Sequence, residues 1–196
     1  MSRVDGRVDV MVDIETLGKK SDSTIIQISA IAFDIKTGEH LSKFDAIADI
    51  EKNEEMNVDG STIKWWLNTD KQLLAELINK GEKSSNEILL NFYGWLHTLT
   101  MDMRDIYLWG NGILFDNKMI QHQLEALGQE YPIFYKNDRD VRTIVDLTCA
   151  KLGIGENELK SRIDAEDLVA HNGIHDCIFQ IRLVTGCYQT LTKGVQ

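Results

Sequence analysis

The first part of the chain alternates short apolar runs with turn residues, a pattern typical of β-strands. Residues 8–15 form an apolar, β-branched run that predicts a buried strand. Residues 24–33 predict a second strand, and Gly38 suits a hairpin turn into a third strand over 41–48. The amino-terminal segment therefore predicts a three-stranded antiparallel meander.

Apolar positions at helical spacing dominate the remainder of the chain. A meander followed by alternating strands and helices predicts an α/β fold with one mixed sheet and helices on its faces, formed by residues 1–196 as a single domain. We expect further strands over 105–109 and 133–135, and helices over 61–67, 85–99, 115–127, 141–152 and from 172 or 173 to about 188.

The composition is that of an ordinary globular protein, but the charge is strongly acidic. Lys and Arg total 21 and Asp and Glu total 31, so the net charge is 21 − 31 = −10, which disfavours a polyanionic partner unless the field is reversed locally. The sequence has no apolar run of roughly 20 residues and no signal-peptide core at its start. Three cysteines without CxxC spacing fit a reducing compartment. We therefore expect a cytoplasmic protein without membrane contact.

Two acids at the end of the first predicted strand are the first candidate site. Asp13 and Glu15 are two residues apart, so in a strand they share a face. Neighbouring carboxylates repel each other unless a cation lies between them, and hard oxygen ligands suit Mg²⁺ or Mn²⁺. Two solvated acids just past a strand end would leave the same pattern, and this pair alone favours that interpretation.

Two later segments carry further candidates. Asp116 follows the fourth predicted strand, near the strand ends where α/β sheets bind ligands, although the helix dipole alone also explains an acid there. Asp176 falls in the first turns of the last helix, and His171 precedes that helix. A zinc pair of His171 and His175 is disfavoured because Asn172 replaces the glutamate of HExxH and no third ligand is evident.

Together these segments bring four carboxylates and a histidine into one predicted cleft. Four carboxylates do not stay ionised in a dry cleft without metal. Two divalent ions about 3.5–4 Å apart are the usual solution in enzymes of phosphoryl transfer.

The motifs Asp-x-Glu-Thr from Asp13, Asn followed by Phe-Asp at Asp116, and His-x₄-Asp at Asp176 resemble the DEDDh 3′→5′ exonucleases of the RNase H-like fold. Their order and spacing extend this similarity over nearly the whole chain. More narrowly, segments 61–66 and 139–143, together with the stretch around Asp176, resemble the exonuclease A type of T-even bacteriophages. An origin of that kind would place the protein in the host cytoplasm.

The resemblance implies an RNase H-like sheet, with the meander plus parallel strands flanked by helices, and a metal-dependent 3′→5′ exonuclease. Two Mg²⁺ or Mn²⁺ ions would be held by Asp13, which bridges both, and by Glu15, Asp116 and Asp176. His171 would take a proton from the attacking water, and nucleoside 5′-monophosphates would be released.

The resemblance also implies contacts with the 3′-terminal nucleotide. Thr16 and Leu17 would meet it, and Phe115 or Trp66 would stack on a base. Asn111 would hydrogen-bond the substrate. Core packing explains Trp66 equally well, and Asn111 is also a good turn residue.

The preferred substrate is a single-stranded 3′ end, with DNA favoured over RNA. An RNA-trimming exonuclease or oligoribonuclease of the same fold, and a catalytically silent nucleic-acid-binding domain, are the alternatives. Gly173-Ile174-His175 departs from the Ala or Ser of many relatives, so His175 stays an alternative base. The sequence does not indicate an oligomeric state.

Overall fold

The amino-terminal meander forms where the apolar pattern predicts it. A computed structural model describes residues 6–169 and 172–193. In it β1 (Val8–Thr16) pairs antiparallel with β2 (Ile25–Phe33), which pairs antiparallel with β3 (His40–Ile47). β1 and β2 are largely buried on both faces, whereas β3 is partly exposed at the edge.

Two parallel strands complete the sheet on the other side of β1. β4 (Ile106–Gly110) pairs parallel with β1, and β5 (Asp138–Asp140) pairs parallel with β4, which gives the order β3-β2-β1-β4-β5. The β1–β4 pairing ends where Met11 meets Trp109, so the last residues of β1 extend past its parallel neighbour. The predicted mixed sheet, a meander plus parallel strands flanked by helices, is thereby confirmed.

The fifth strand was predicted over 133–135, and that placement is wrong. Those residues are not in a strand, and residues 134–137 form a turn in which the Asn137 amide donates to the Phe134 carbonyl over 2.7 Å. The Asn137 side chain then donates to the Ile106 carbonyl, which ties the turn to β4. The actual strand is Asp-Arg-Asp, and charged residues of this kind are rare in strands, so no pattern marked it.

Helices cover both faces of the sheet, and two of them were not predicted. One of these, α2, begins directly after α1 because Asp70 ends one helix and its side chain caps the next by accepting from the Leu73 amide. Among the described residues no helix is both long and apolar enough to cross a membrane. The helices are α1 (Gly60–Thr69), α2 (Lys71–Lys80), α3 (Ser85–Leu99), α4 (Asp116–Ala126), α5 (Val141–Leu152), α6 (Glu156–Ser161) and α7 (Gly173–Thr192).

Alternation along β1 divides the apolar residues between two layers. Val10, Val12 and Ile14 face α3 and α4, whereas Met11 faces α5 and α7. Because side chains alternate, the remaining odd-numbered residues of β1 share the Met11 side. A third, smaller cluster joins α1 and α2 to the sheet and consists of Leu17, Ile26, Trp66, Leu74 and Leu77.

The first turn of α7 packs directly on β2. A Cβ placed at Gly173 would overlap the Ser29 hydroxyl and lie 3.0 Å from the Ser29 Cβ. Ser29 is fully buried, so it has no room to move aside. Because position 173 has no side chain, the first turn of α7 can pack close to β2.

We predict that Gly173→Ala destabilises the protein by about 1–3 kcal/mol, because the first turn of α7 must shift away from β2. Urea denaturation followed by circular dichroism measures the effect as a lower midpoint.

Gly186→Ala in the same helix is the matched control. A Cβ at position 186 meets nothing within 4 Å, and alanine is favoured over glycine inside a helix by up to about 1 kcal/mol. An unchanged midpoint for Gly173→Ala would show that the close approach carries no stability.

Candidate functional site

Four carboxylates meet beyond the end of β4. Asp13 and Glu15 lie on one face of β1, and Asp176 lies in the first turn of α7. One carboxylate oxygen from each of these three residues lies within 4.8 Å of the others. Asp116, the first residue of α4, joins them, and its Oδ1 accepts from the Ile14 amide over 3.4 Å. The structure therefore brings together all four acids that the sequence singled out.

Burial disfavours the charged forms of Asp13, Glu15 and Asp116, and repulsion by neighbouring carboxylates adds to it at Asp13 and Glu15. Burial is the largest cause for Asp13, whose pKa lies well above its usual range, and the neighbouring carboxylates raise it further. The same two causes raise the pKa of Glu15 to about 8. Burial raises the pKa of Asp116 to about 7, while the Ile14 amide and the Arg142 guanidinium oppose that shift. A compact group of acids of this kind would be stabilised in its ionised form by a bound cation.

The end of β4 is shaped to admit Asp116. A Cβ at Gly110 would lie 2.5 Å from Asn117 Oδ1 and 3.4 Å from Asp116 Oδ2. Because Gly110 has no side chain, α4 begins directly against the end of the strand. Beyond it, Gly112 lies against the guanidinium group of Arg142, which supplies positive charge next to the acids.

Of the two candidate histidines, the structure describes His175, whereas His171 lies outside the described residues. His175 is in the first turn of α7, and its Nδ1 accepts from the Val169 amide over 2.9 Å. A neutral imidazole that accepts at one nitrogen carries its proton on the other, so this ring has no second free acceptor.

One cavity of about 410 Å³ opens beside Glu15 and Thr16. Trp65 and Phe115 line it with side chains that are 46% and 36% exposed. Thr62 also lines it, and its buried hydroxyl has no hydrogen-bond partner among the described residues. The walls are mostly apolar and aromatic, which suits a planar ring.

Two predicted substrate contacts are almost fully buried, although Trp66 also lines this cavity. Trp66 is 1% exposed, and its indole Nε1 donates to the Thr16 carbonyl over 3.0 Å. Leu17 is 3% exposed and belongs to the same cluster as Trp66. The sequence reasoning missed Trp65, because the exposed member of a tryptophan pair depends on which face of α1 packs inward.

A second cavity of about 250 Å³ adjoins the acids on the α7 side. Asn111 is exposed and lines it with Asp13, Asp176 and Lys160. Gln180, four residues after Asp176, also lines it, and its Nε2 donates to Asp13 Oδ1 over 3.4 Å. Sequence reasoning missed this glutamine, although a polar residue within the apolar stripe of α7 was a visible signal.

Comparisons with known proteins agree with this geometry. The family model described as the 3′-5′ exoribonuclease Rv2179c-like domain matches residues 8–188. The exodeoxyribonuclease of Enterobacteria phage T4 is 24% identical over 201 residues, covering 90% of this chain and 87% of the phage protein.

Solved structures of exonucleases share the fold. The nuclease domain of 3′hExo, a DEDDh family member bound to rAMP, superposes with a TM-score of 0.59 at 14% identity, over 93% of this chain and 92% of that domain. Escherichia coli ExoI in its zinc-bound complex with ssDNA gives a TM-score of 0.60 at 14% identity, and the match spans 97% of this chain but 41% of ExoI. Since the family model spans every strand of the sheet and all four acids, the chain belongs to the Rv2179c-like 3′-5′ exoribonuclease domain family and is a 3′→5′ exonuclease.

Proposed function

We propose that this exonuclease removes nucleoside 5′-monophosphates from the 3′ ends of single-stranded nucleic acid, preferentially DNA, at a centre of two divalent cations. One observation carries the proposal: three carboxylate oxygens converge within 4.8 Å, and one of the three acids, Glu15, also lines an aromatic-walled cavity. An acidic cluster alone would bind a cation, and a cavity alone would bind a ring. Their adjacency supports cleavage next to a bound terminal nucleotide.

The donor set fits hard divalent cations such as Mg²⁺ or Mn²⁺, because all four side chains offer carboxylate oxygen. Asp13 would be shared by the two ions, Glu15 and Asp176 would complete one site, and Asp116 would serve the other. When bound, the cations supply Lewis-acid stabilisation of the phosphoryl and leaving oxygens and make the attacking water more acidic. The raised pKa values of Asp13, Glu15 and Asp116 support this assignment, since a cation restores the ionised forms.

Within the protein, the proton of the attacking water goes to His171 in this proposal. An imidazole with an ordinary pKa near 6.5 is suited to that task at neutral pH. His175 is the less suitable base because the Val169 amide already occupies its Nδ1. Arg142 is the nearby cation that offsets the negative charge around Asp116.

The terminal nucleoside would enter the 410 Å³ cavity beside Glu15. Trp65 and Phe115 offer exposed ring faces there, and stacking of this kind tolerates every base. Thr16 lines this cavity, Leu17 belongs to the apolar cluster that contains Trp66, and Asn111 lines the second cavity. The net charge of −10 disfavours binding along a duplex, so the substrate is held at its end.

A 3′→5′ exoribonuclease is the second candidate, favoured by the description of the matching family. The DNA preference is favoured by the name of the phage relative. Initial rates on DNA and RNA oligonucleotides of one sequence, with Mg²⁺ and with Mn²⁺, decide between them, because the 2′-hydroxyl is the only difference at each sugar.

Asp13→Asn is expected to slow mononucleotide release from a 3′-labelled oligonucleotide by about a thousandfold or more. Loss of a shared metal ligand removes several kcal/mol of transition-state stabilisation, and each 1.36 kcal/mol is tenfold in rate.

Asp146→Asn on the exposed face of α5 is the matched control and should cleave at the parental rate. An Asp13→Asn protein that digests the oligonucleotide as fast as the parent would rule out the proposed centre.

His171→Ala should lower the cleavage rate by about 10²–10⁴-fold, the usual contribution of a general base. His175→Asn should stay near the parental rate, because the asparagine Oδ1 replaces the Nδ1 that accepts from Val169. Single-turnover rates at neutral pH measure both variants. The opposite pattern would assign the base to His175.

In EDTA, the protein should lose stability as pH rises from about 5 to about 9. Glu15 titrates near 8 when folded against 4.5 ordinarily, and Asp116 near 7 against 3.8, so the folded state holds extra protons in this window. A state that binds more protons is weakened as they are removed. Thermal unfolding across this range measures the decline.

Two comparisons isolate the cause of that decline. Glu15→Gln should flatten the pH dependence, and Mg²⁺ should stabilise the parent most at high pH because it binds the deprotonated acids. A melting temperature in EDTA that rises toward pH 9 would contradict the raised pKa values.

A further inference from the structure

Gln180 contacts the candidate centre without offering a carboxylate to it. It is 6% exposed, and its Nε2 donates to Asp13 Oδ1 over 3.4 Å. Its Oε1 has no hydrogen-bond partner among the residues that the structure describes. A buried polar atom left without a partner costs stability, so packing does not explain a glutamine here.

The surroundings of Gln180 on α7 sharpen this point. Cys177, Ile181 and Val184 on the same helix are buried in the apolar layer between α7 and the sheet. A leucine at position 180 would extend that layer and leave no unpaired atom. The hydrogen bond from its amide nitrogen to Asp13 therefore explains why position 180 is a glutamine.

The contact acts on an acid that repulsion tends to displace. One oxygen each of Asp13, Glu15 and Asp176 lies within 4.8 Å of the other two, and the negative charges of Glu15, Asp176 and Asp116 all act on Asp13. Without a restraint, rotation of the Asp13 side chain would relieve that repulsion by separating the oxygens. A hydrogen bond to one oxygen of Asp13 restrains this rotation and leaves the other oxygen free to bind a cation.

We propose that Gln180 is a positioning residue that holds the Asp13 carboxylate in the orientation that binds the divalent cations. The inference rests on the proposed function, because it concerns the same centre. Mutation of a residue that hydrogen-bonds a ligating carboxylate typically lowers metal affinity or activity by about 10–100-fold.

The placement on α7 makes the helix a single positioning unit. Residues four apart lie on the same face of a helix, so Asp176 and Gln180 reach the centre together. The close approach of Gly173 to Ser29 sets the depth of both. α7 thus supplies both the proposed ligand Asp176 and Gln180, which restrains the proposed ligand Asp13 on β1.

The test is Mn²⁺ binding to metal-free protein, measured by titration calorimetry on Gln180→Leu and on Gln180→Met, which keeps the unbranched length. Both should bind Mn²⁺ about 10–100-fold more weakly than the parent. Their melting temperatures in EDTA should be unchanged or higher, since the unpaired Oε1 is gone. The Mg²⁺ concentration for half-maximal cleavage should rise in parallel.

Thr185→Val is the matched control, because Thr185 is on the same helix and its buried hydroxyl also lacks a partner among the described residues. This variant should bind Mn²⁺ as the parent does. Parental Mn²⁺ affinity in folded Gln180→Leu and Gln180→Met would overturn the positioning role. A parent that binds no Mn²⁺ would instead overturn the proposed function, and this inference with it.

Discussion

Repulsion between partly buried carboxylates is the constraint that the rest of this structure must oppose. Oxygens of Asp13, Glu15 and Asp176 come within 4.8 Å although Glu15 and Asp176 disfavour ionisation of Asp13, and Asp176 disfavours that of Glu15. The packing of β1 and α7 in the apolar layers of the fold holds them there, together with the hydrogen bond from Gln180 to Asp13. Stability is thus lower at the site than the fold would allow, which is common where an enzyme needs a destabilised active site.

β1 links that constraint to the core because its two faces have different tasks. Val10, Val12 and Ile14 anchor the strand in the layer under α3 and α4, so the strand cannot slide without exposing them. The opposite face carries Asp13 and Glu15 to the site. Since β1 extends past β4, the Ile14 amide is free of the ladder on that side and donates to Asp116. Register and active-site geometry are therefore fixed by the same packing.

The sequence predicted the elements that local periodicity encodes. It did not predict the strand and the side-chain contact that depend on tertiary packing. The helices Ser85–Leu99 and Val141–Leu152 have the predicted bounds, because a serine or aspartate cap and an apolar stripe mark each. The acids could be found since strand ends and first helical turns are recognisable positions. β5 was misplaced because its residues are charged and its pairing is set by β4. The contact of Gln180 with Asp13 joins residues 167 positions apart, which no local pattern reveals.

The 410 Å³ cavity draws its lining from two parts of the fold, since Glu15 comes from β1 and Trp65 and Trp66 come from α1. α1 and α2 pack through Leu17, Trp66 and Leu77 in a cluster distinct from the two larger apolar layers on the faces of the sheet. Mutations in α1 can therefore reshape the cavity while the acids keep their positions. A nuclease built in this way can diverge in the nucleotides it accepts without changing its catalytic chemistry, and α1 and α2 are where such lineages should differ most.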